Sequence, residues 1–199
     1  MFRKSPLFLL ILNLIVICLV TAFAPLERTL GANARVVYLH GAWVWAALAA
    51  FLVSGVAGLL GLIRRKPEYH RWSTALGRSG LVFWVTYLPI SLWAMQTSWN
   101  GLFLAEPRWR LALVFAVSGL LLQVGLTLLE RPAWTGAGNL AFILVLMLAL
   151  RATENVMHPP SPILSSDAWR IQLYFSLLLA LTLLAAYQVA RLTLPDSES

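Results

Sequence analysis

Apolar residues in this chain come in long, nearly unbroken runs, and not at the spacing of a helix that shows one face to water. The runs cover residues 6–23, 36–63, 80–97, 111–129, 139–157 and 171–190. A bilayer core takes about 20 mostly apolar residues per helix, and in lipid a lone segment satisfies its backbone donors and acceptors only as a helix. The pattern therefore predicts an all-α polytopic membrane protein, a bundle of six transmembrane helices. The connecting segments carry no low-complexity tract and no convincing repeat. They leave no room for a soluble domain, so residues 1–199 read as a single six-span domain.

Composition agrees with this reading: 60% of the 199 residues are hydrophobic and 12% charged, with a mean hydropathy of +0.78. The opening "MFRK", an apolar stretch and "TAFA" imitate a cleaved secretory signal. Pro25 would follow the cut and the apolar stretch is long for a signal, so the segment reads as a retained first span. Cys18, the single cysteine, lies inside it. An intrachain disulfide and C-x-x-C redox or haem-attachment chemistry are thereby excluded.

The net charge of +7 matters through its placement. Arg3 and Lys4 precede the first run, and Arg64, Arg65, Lys66, Arg71 and Arg78 crowd the stretch between the second and third. The alternate loops mix fewer basic residues with Glu27, Glu106 and Asp167. The positive-inside rule then puts both termini in the cytoplasm and residues 24–35, 98–110 and 159–170 on the outer side, most simply of a bacterial inner membrane. The basic stretch reads as a topology anchor on anionic lipid, with no nucleic acid as partner.

This topology sorts the three histidines. His70 falls in the cytoplasmic basic stretch, whereas His40 opens the second run and His158 closes the fifth, both in the outer leaflet. Two facing imidazoles are a possible axial ligand set for a haem iron; the alternative is a pair of interfacial anchors. Arg151, Glu154 and His158 follow at helical spacing on one predicted face, and ionisable groups within a span usually face the bundle interior. On the functional reading Arg151 holds an anionic group such as a haem propionate, and Glu154 or Asn155 orients an imidazole. The plainer alternative is an Arg151–Glu154 pair reaching the interface. The outer segment "SWNGLFLAEPRWR" sets Trp99, Phe103 and Trp109 among Arg108 and Arg110, a cover for a flat dianionic macrocycle or an aromatic belt.

Taken in order, "RVVYLHGAWVW", "SLWAMQTSWNGLFLAEPRWR" and "ENVMHPPSPI" resemble the haem-handling membrane proteins of cytochrome c assembly, most closely the six-span cytochrome c maturation protein C type. Tyr38, His40, Ala42 and Trp43 match that family's motif at the start of span two, and Asn155 and His158 match its motif at the end of span five. The resemblance covers residues 35–190. It implies non-covalent b-type haem, His40 and His158 as axial ligands, and a tryptophan-rich outer platform from which haem passes to a carrier. The departure lies in that platform. Where the family has a dense tryptophan run ending in aspartate, this chain reads Leu102, Phe103, Leu104, Ala105 and Glu106, keeping Trp99 before it and Arg108 behind it.

The expected function is therefore haem handling for cytochrome c biogenesis, without bond-making catalysis. The expected partners are membrane lipid, haem, and a haem carrier or other assembly proteins. The thinned platform keeps a second role open, an accessory or structural subunit of a membrane redox complex. A small-solute transporter fits less well, because the ionisable residues lie near one surface and not at the midplane.

Overall fold

The computed structural model describes residues 5–154, 156–157, 163 and 167–195. Among them the chain forms six helices: α1 (Pro6–Ala22), α2 (Ala34–Arg64), α3 (Pro67–Trp99), α4 (Pro107–Leu129), α5 (Pro132–Ala152) and α6 (Trp169–Leu192). Pro6, Pro67, Pro107 and Pro132 each open a helix, where a missing N–H costs nothing and the fixed φ suits the first turn. Four helices, α2, α4, α5 and α6, are long and apolar enough to cross a membrane. α1 is apolar but has only 17 residues. α3, at 33 residues, carries buried Ser73, Ser79 and Ser91 along its length, so its polarity faces other helices.

The helices alternate in direction. Asn33 at the start of α2 donates to the Thr97 carbonyl at the end of α3 (2.8 Å), and Tyr174 near the start of α6 donates to Val20 near the end of α1 (2.7 Å). At the opposite end Thr193 reaches Ala75 (3.4 Å), and the Arg71 guanidinium binds the Pro195 carbonyl at 2.6 and 2.9 Å. The bundle thus has a His40 end and a His70 end, and the dense basic residues belong to the latter.

Lipid tails are as apolar as leucine, so close packing and internal hydrogen bonds hold such helices together. α2 buries a stripe of small residues, among them Ala42, Ala46, Ala50, Ser54, Gly58 and Gly61. At Gly58 the α2 and α5 backbones nearly touch, and at Gly61 the His70 ring fills the space a side chain would take. Asn139 on α5 donates to the Ser73 carbonyl (3.0 Å) and hydroxyl (3.1 Å) and accepts from Gln123 on α4 (2.8 Å). Ser54 on α2 donates to the same Ser73 carbonyl at 2.6 Å. One buried network therefore ties α2, α3, α4 and α5. α1 joins α6 through Asn13, which donates to Leu181 (2.9 Å) and Gln188 (3.2 Å).

Two boundaries differ from the sequence expectation. The basic stretch expected as a loop is mostly the opening of α3, which starts at Pro67 and not near Gly80; Arg65 and Lys66 alone form the connection. Arg65 makes the turn in the left-handed region (φ 53°), its N–H donating to Gly61 (2.9 Å). Polar residues continue a helix as readily as apolar ones, so the start of the apolar run does not mark the start of the helix. At the other boundary α5 stops at Ala152 and Thr153 is extended, which removes the helical face expected to unite Arg151, Glu154 and His158. The Thr153 hydroxyl turns back to the Ala149 carbonyl at 2.7 Å, a local bond that competes with continuing the helix.

Candidate functional site

At the His40 end the helices part around a cavity of about 440 Å³, within the ~300–1,000 Å³ usual for small-molecule and cofactor sites. α2 lines it with Val37, His40, Gly41, Val44 and Leu48, and α3 with Trp84, Tyr87, Ser91, Met95 and Ser98. Both sets follow the i, i+3, i+4, i+7 spacing of one helix face. Phe175 of α6 and Leu150 of α5 close the sides, and Trp99, Glu106, Arg108 and Trp109 come from the α3–α4 junction.

The wall is an aromatic stack. His40 lies 5.3 Å from Tyr87 ring to ring, and Tyr87 lies 5.3 Å from Trp84. Trp84 is in turn fixed by its indole N–H on the Ala112 carbonyl (2.9 Å), which locks α3 to α4 below the cavity. Gly41 admits Phe175: a methyl group there would come within 3.3 Å of that ring. Pro89, inside α3 between Tyr87 and Ser91, withholds the N–H that the Val85 carbonyl would otherwise receive.

The mouth is polar. Glu106 caps α4, one carboxylate oxygen accepting the Trp109 backbone N–H at 2.6 Å, and the residue is only 4% exposed. Among the described residues its other oxygen, the Ser98 hydroxyl and the Trp109 indole nitrogen are buried without a hydrogen-bond partner. Arg110 points elsewhere, donating to Leu104 at 3.1 Å.

Of the residues expected from sequence, His40, Trp99, Arg108 and Trp109 meet at this cavity. Phe103 packs edge-on against Trp99 (5.7 Å) but is 40% exposed and does not line it. Trp43 turns away, its indole donating to Thr86 (2.9 Å) and its ring lying on Phe83 (4.8 Å). Arg151 is exposed at the end of α5, off the cavity wall. Asn155 and His158 lie outside the described residues. Ile163, five positions beyond His158 in sequence, lines the cavity. Sequence reading missed Trp84, Tyr87 and Ser98, whose helical spacing within α3 was the available signal, and gave Glu106 no role. Among the described residues no three His, Cys, Asp or Glu side chains gather as a metal site; a macrocyclic iron asks the protein only for axial ligands. No family model, no curated protein and no solved structure matches the chain.

Proposed function

We propose that this chain is a membrane haem-handling protein of cytochrome c biogenesis, with all six helices spanning and both termini in the cytoplasm of a bacterial inner membrane. One observation carries the reading: His40 of α2 and the outer segment with Trp99, Arg108 and Trp109, about 60 residues further along the chain, line one largely apolar cavity. The donor set suits haem as cargo. His40 would hold the haem iron through its imidazole, together with His158 on the sequence resemblance, and Trp84, Tyr87, Met95 and Phe175 would offer the macrocycle an apolar wall. Arg108 offers a cation to a propionate. Bound haem contributes its iron and its macrocycle; the protein binds, orients and shields it, and catalyses no bond change. α3 spans as an internal helix whose serines are sheltered by its neighbours, and α1, about 26 Å long at 1.5 Å per residue, spans beside α6.

A second reading, an accessory subunit of a membrane redox complex, draws on Leu102, Phe103 and Leu104, which are exposed beside the mouth and suit a protein contact. Oxidised and reduced visible spectra of the protein purified in mild detergent test both. A bis-imidazole spectrum is expected for wild type and His70→Ala, and a diminished one for His40→Ala and His158→Ala. Wild type without haem, or equal haem in all variants, overturns the haem reading; stoichiometric co-purification with a redox complex selects the second.

A further inference from the structure

Consecutive helices of this bundle lie side by side, α1 on α2, α2 on α3, α3 on α4 and α4 on α5, with one exception. Among the described residues no Cα of α5 comes within 8 Å of a Cα of α6. Packed helices stand about 8–10 Å apart axis to axis, so these two are not a packed pair; each rests on α2 instead, α5 through Ile143 at Gly55 and α6 through Phe175 at Gly41. A slot is left between them with α2 as its floor. The cavity reaches this slot, because Leu150 of α5 and Phe175 of α6 both line it together with Gly41, Trp45 and Leu48, at i, i+4 and i+7 on one face of α2. Trp45 lines the cavity and is also 41% exposed, so it stands where the interior meets the surroundings. It lies five residues beyond His40 along α2, about 7.5 Å further from that end of the bundle at 1.5 Å per residue. α2, α5 and α6 are each long and apolar enough to cross a membrane. At that depth the medium outside Trp45 is hydrocarbon.

We propose that the cavity exchanges its ligand with the bilayer, sideways through the slot between α5 and α6 with Trp45 at the threshold, and not with water through the polar mouth. The order of polarity inside the cavity supports this. His40 and Arg108 belong to the end of the bundle, whereas Trp45, Leu48 and Trp84 line the cavity deeper. A membrane leaflet has the same order, charged groups at the surface and hydrocarbon beneath. An amphiphile lying in the leaflet at the His40 end therefore keeps its depth and its orientation as it moves sideways into the cavity, and its apolar body is never exposed to water. The inference rests on the haem reading and deepens it: haem is a flat apolar macrocycle with two propionates on one edge, and it is taken from that leaflet with the propionates toward Arg108. The indole of Trp45 narrows the passage. No covalent bond changes.

The test reconstitutes the full-length protein in phospholipid vesicles, supplies haem dissolved in the same bilayer, and follows loading by the visible spectrum. An excess of a soluble haem-binding protein, which strips haem from water, should leave the initial loading rate of wild type unchanged. Haem coupled through one propionate to a large water-soluble polymer reaches the mouth but cannot enter the bilayer, and it should not load. Trp45→Ala opens the threshold and should raise the loading and release rates together by about tenfold, equivalent to about 1.4 kcal/mol off the barrier. A side chain that only contacts the bound ligand would change release and leave loading alone. Loading that the soluble protein stops, loading of the coupled haem at the rate of free haem, or a wild-type loading rate in Trp45→Ala overturns the inference and leaves the haem reading standing. Failure of wild type to take up haem either from the bilayer or in detergent solution overturns both.

Discussion

Gly58 of α2 and Gly136 of α5 cross with their backbones in contact: a methyl group on Gly58 would overlap the Gly136 carbonyl and lie 2.8 Å from its Cα. A flexible side chain can yield to such a methyl, but two packed helix backbones cannot. Gly58→Ala is therefore expected to destabilise the bundle by about 1–3 kcal/mol, although alanine is the better helix former. Gly125 of α4, with nothing within 4 Å, is the control: Gly125→Ala should be neutral or stabilising by up to about 1 kcal/mol. Reversible unfolding in detergent measures both, and equal effects would remove the crossing as the cause.

The turn before α2 is expected to respond to acid through Glu27. The backbone N–H groups of Leu30 (2.7 Å) and Thr29 (2.8 Å) both donate to one of its carboxylate oxygens, and together they hold the carboxyl below its ordinary 4.5. Because the folded value is depressed, the contribution is complete above the ordinary value and is lost as pH falls through the folded one. Amide protection at Thr29 and Leu30 should decline over that interval in wild type. In Glu27→Gln it should be lower at neutral pH and nearly independent of pH.

Sidedness is open to thiol labelling on intact cells. Arg28 and Lys66 are both exposed, one at each end of the bundle. On a Cys18→Ser background an impermeant reagent should label Arg28→Cys and leave Lys66→Cys untouched until the cells are lysed. The reverse pattern would put the His40 cavity on the cytoplasmic side.

Trp43 and Arg151 separate the geometry from the motif. Trp43 belongs to the family motif beside His40 and Arg151 is expected from sequence to hold a propionate, yet neither lines the cavity. Trp43→Phe and Arg151→Ala should leave the haem spectrum and affinity near wild type, whereas Trp99→Ala and Arg108→Ala should each weaken binding by about 0.5–2 kcal/mol. Spectral titration of the four variants checks this, and a large loss in Trp43→Phe would favour the motif over the geometry.

The helical class was legible because apolar runs of bilayer length have few other uses, and His40 stood out because histidine is rare in this chain. Less legible was anything that depends on which face of a helix meets which neighbour. Trp43 and Trp45 are two residues apart on α2, yet Trp45 lines the cavity and Trp43 does not, a choice made by the packing of α2 against α3. Glu106 looked like a substitute in a worn motif; its burial and its cap bond to Trp109 exist only once α4 starts at Pro107. The extent of α3 was hidden because its first turns are polar, and hydropathy shows only where a helix becomes apolar. Arg151 and Glu154 were joined by assuming a helix that a threonine ends.

The Asn13 amide gives the order of biosynthesis a physical content. Its partners, the Leu181 carbonyl and the Gln188 side chain, sit on α6 and are synthesised 168 and 175 residues later, whereas α2 and α3 are joined by a two-residue turn and can pair soon after both are made. Until α6 is made, α1 therefore waits without either partner for that amide. A chain that stops before Trp169 keeps it so, a mark of incompleteness on which a protease or chaperone can act.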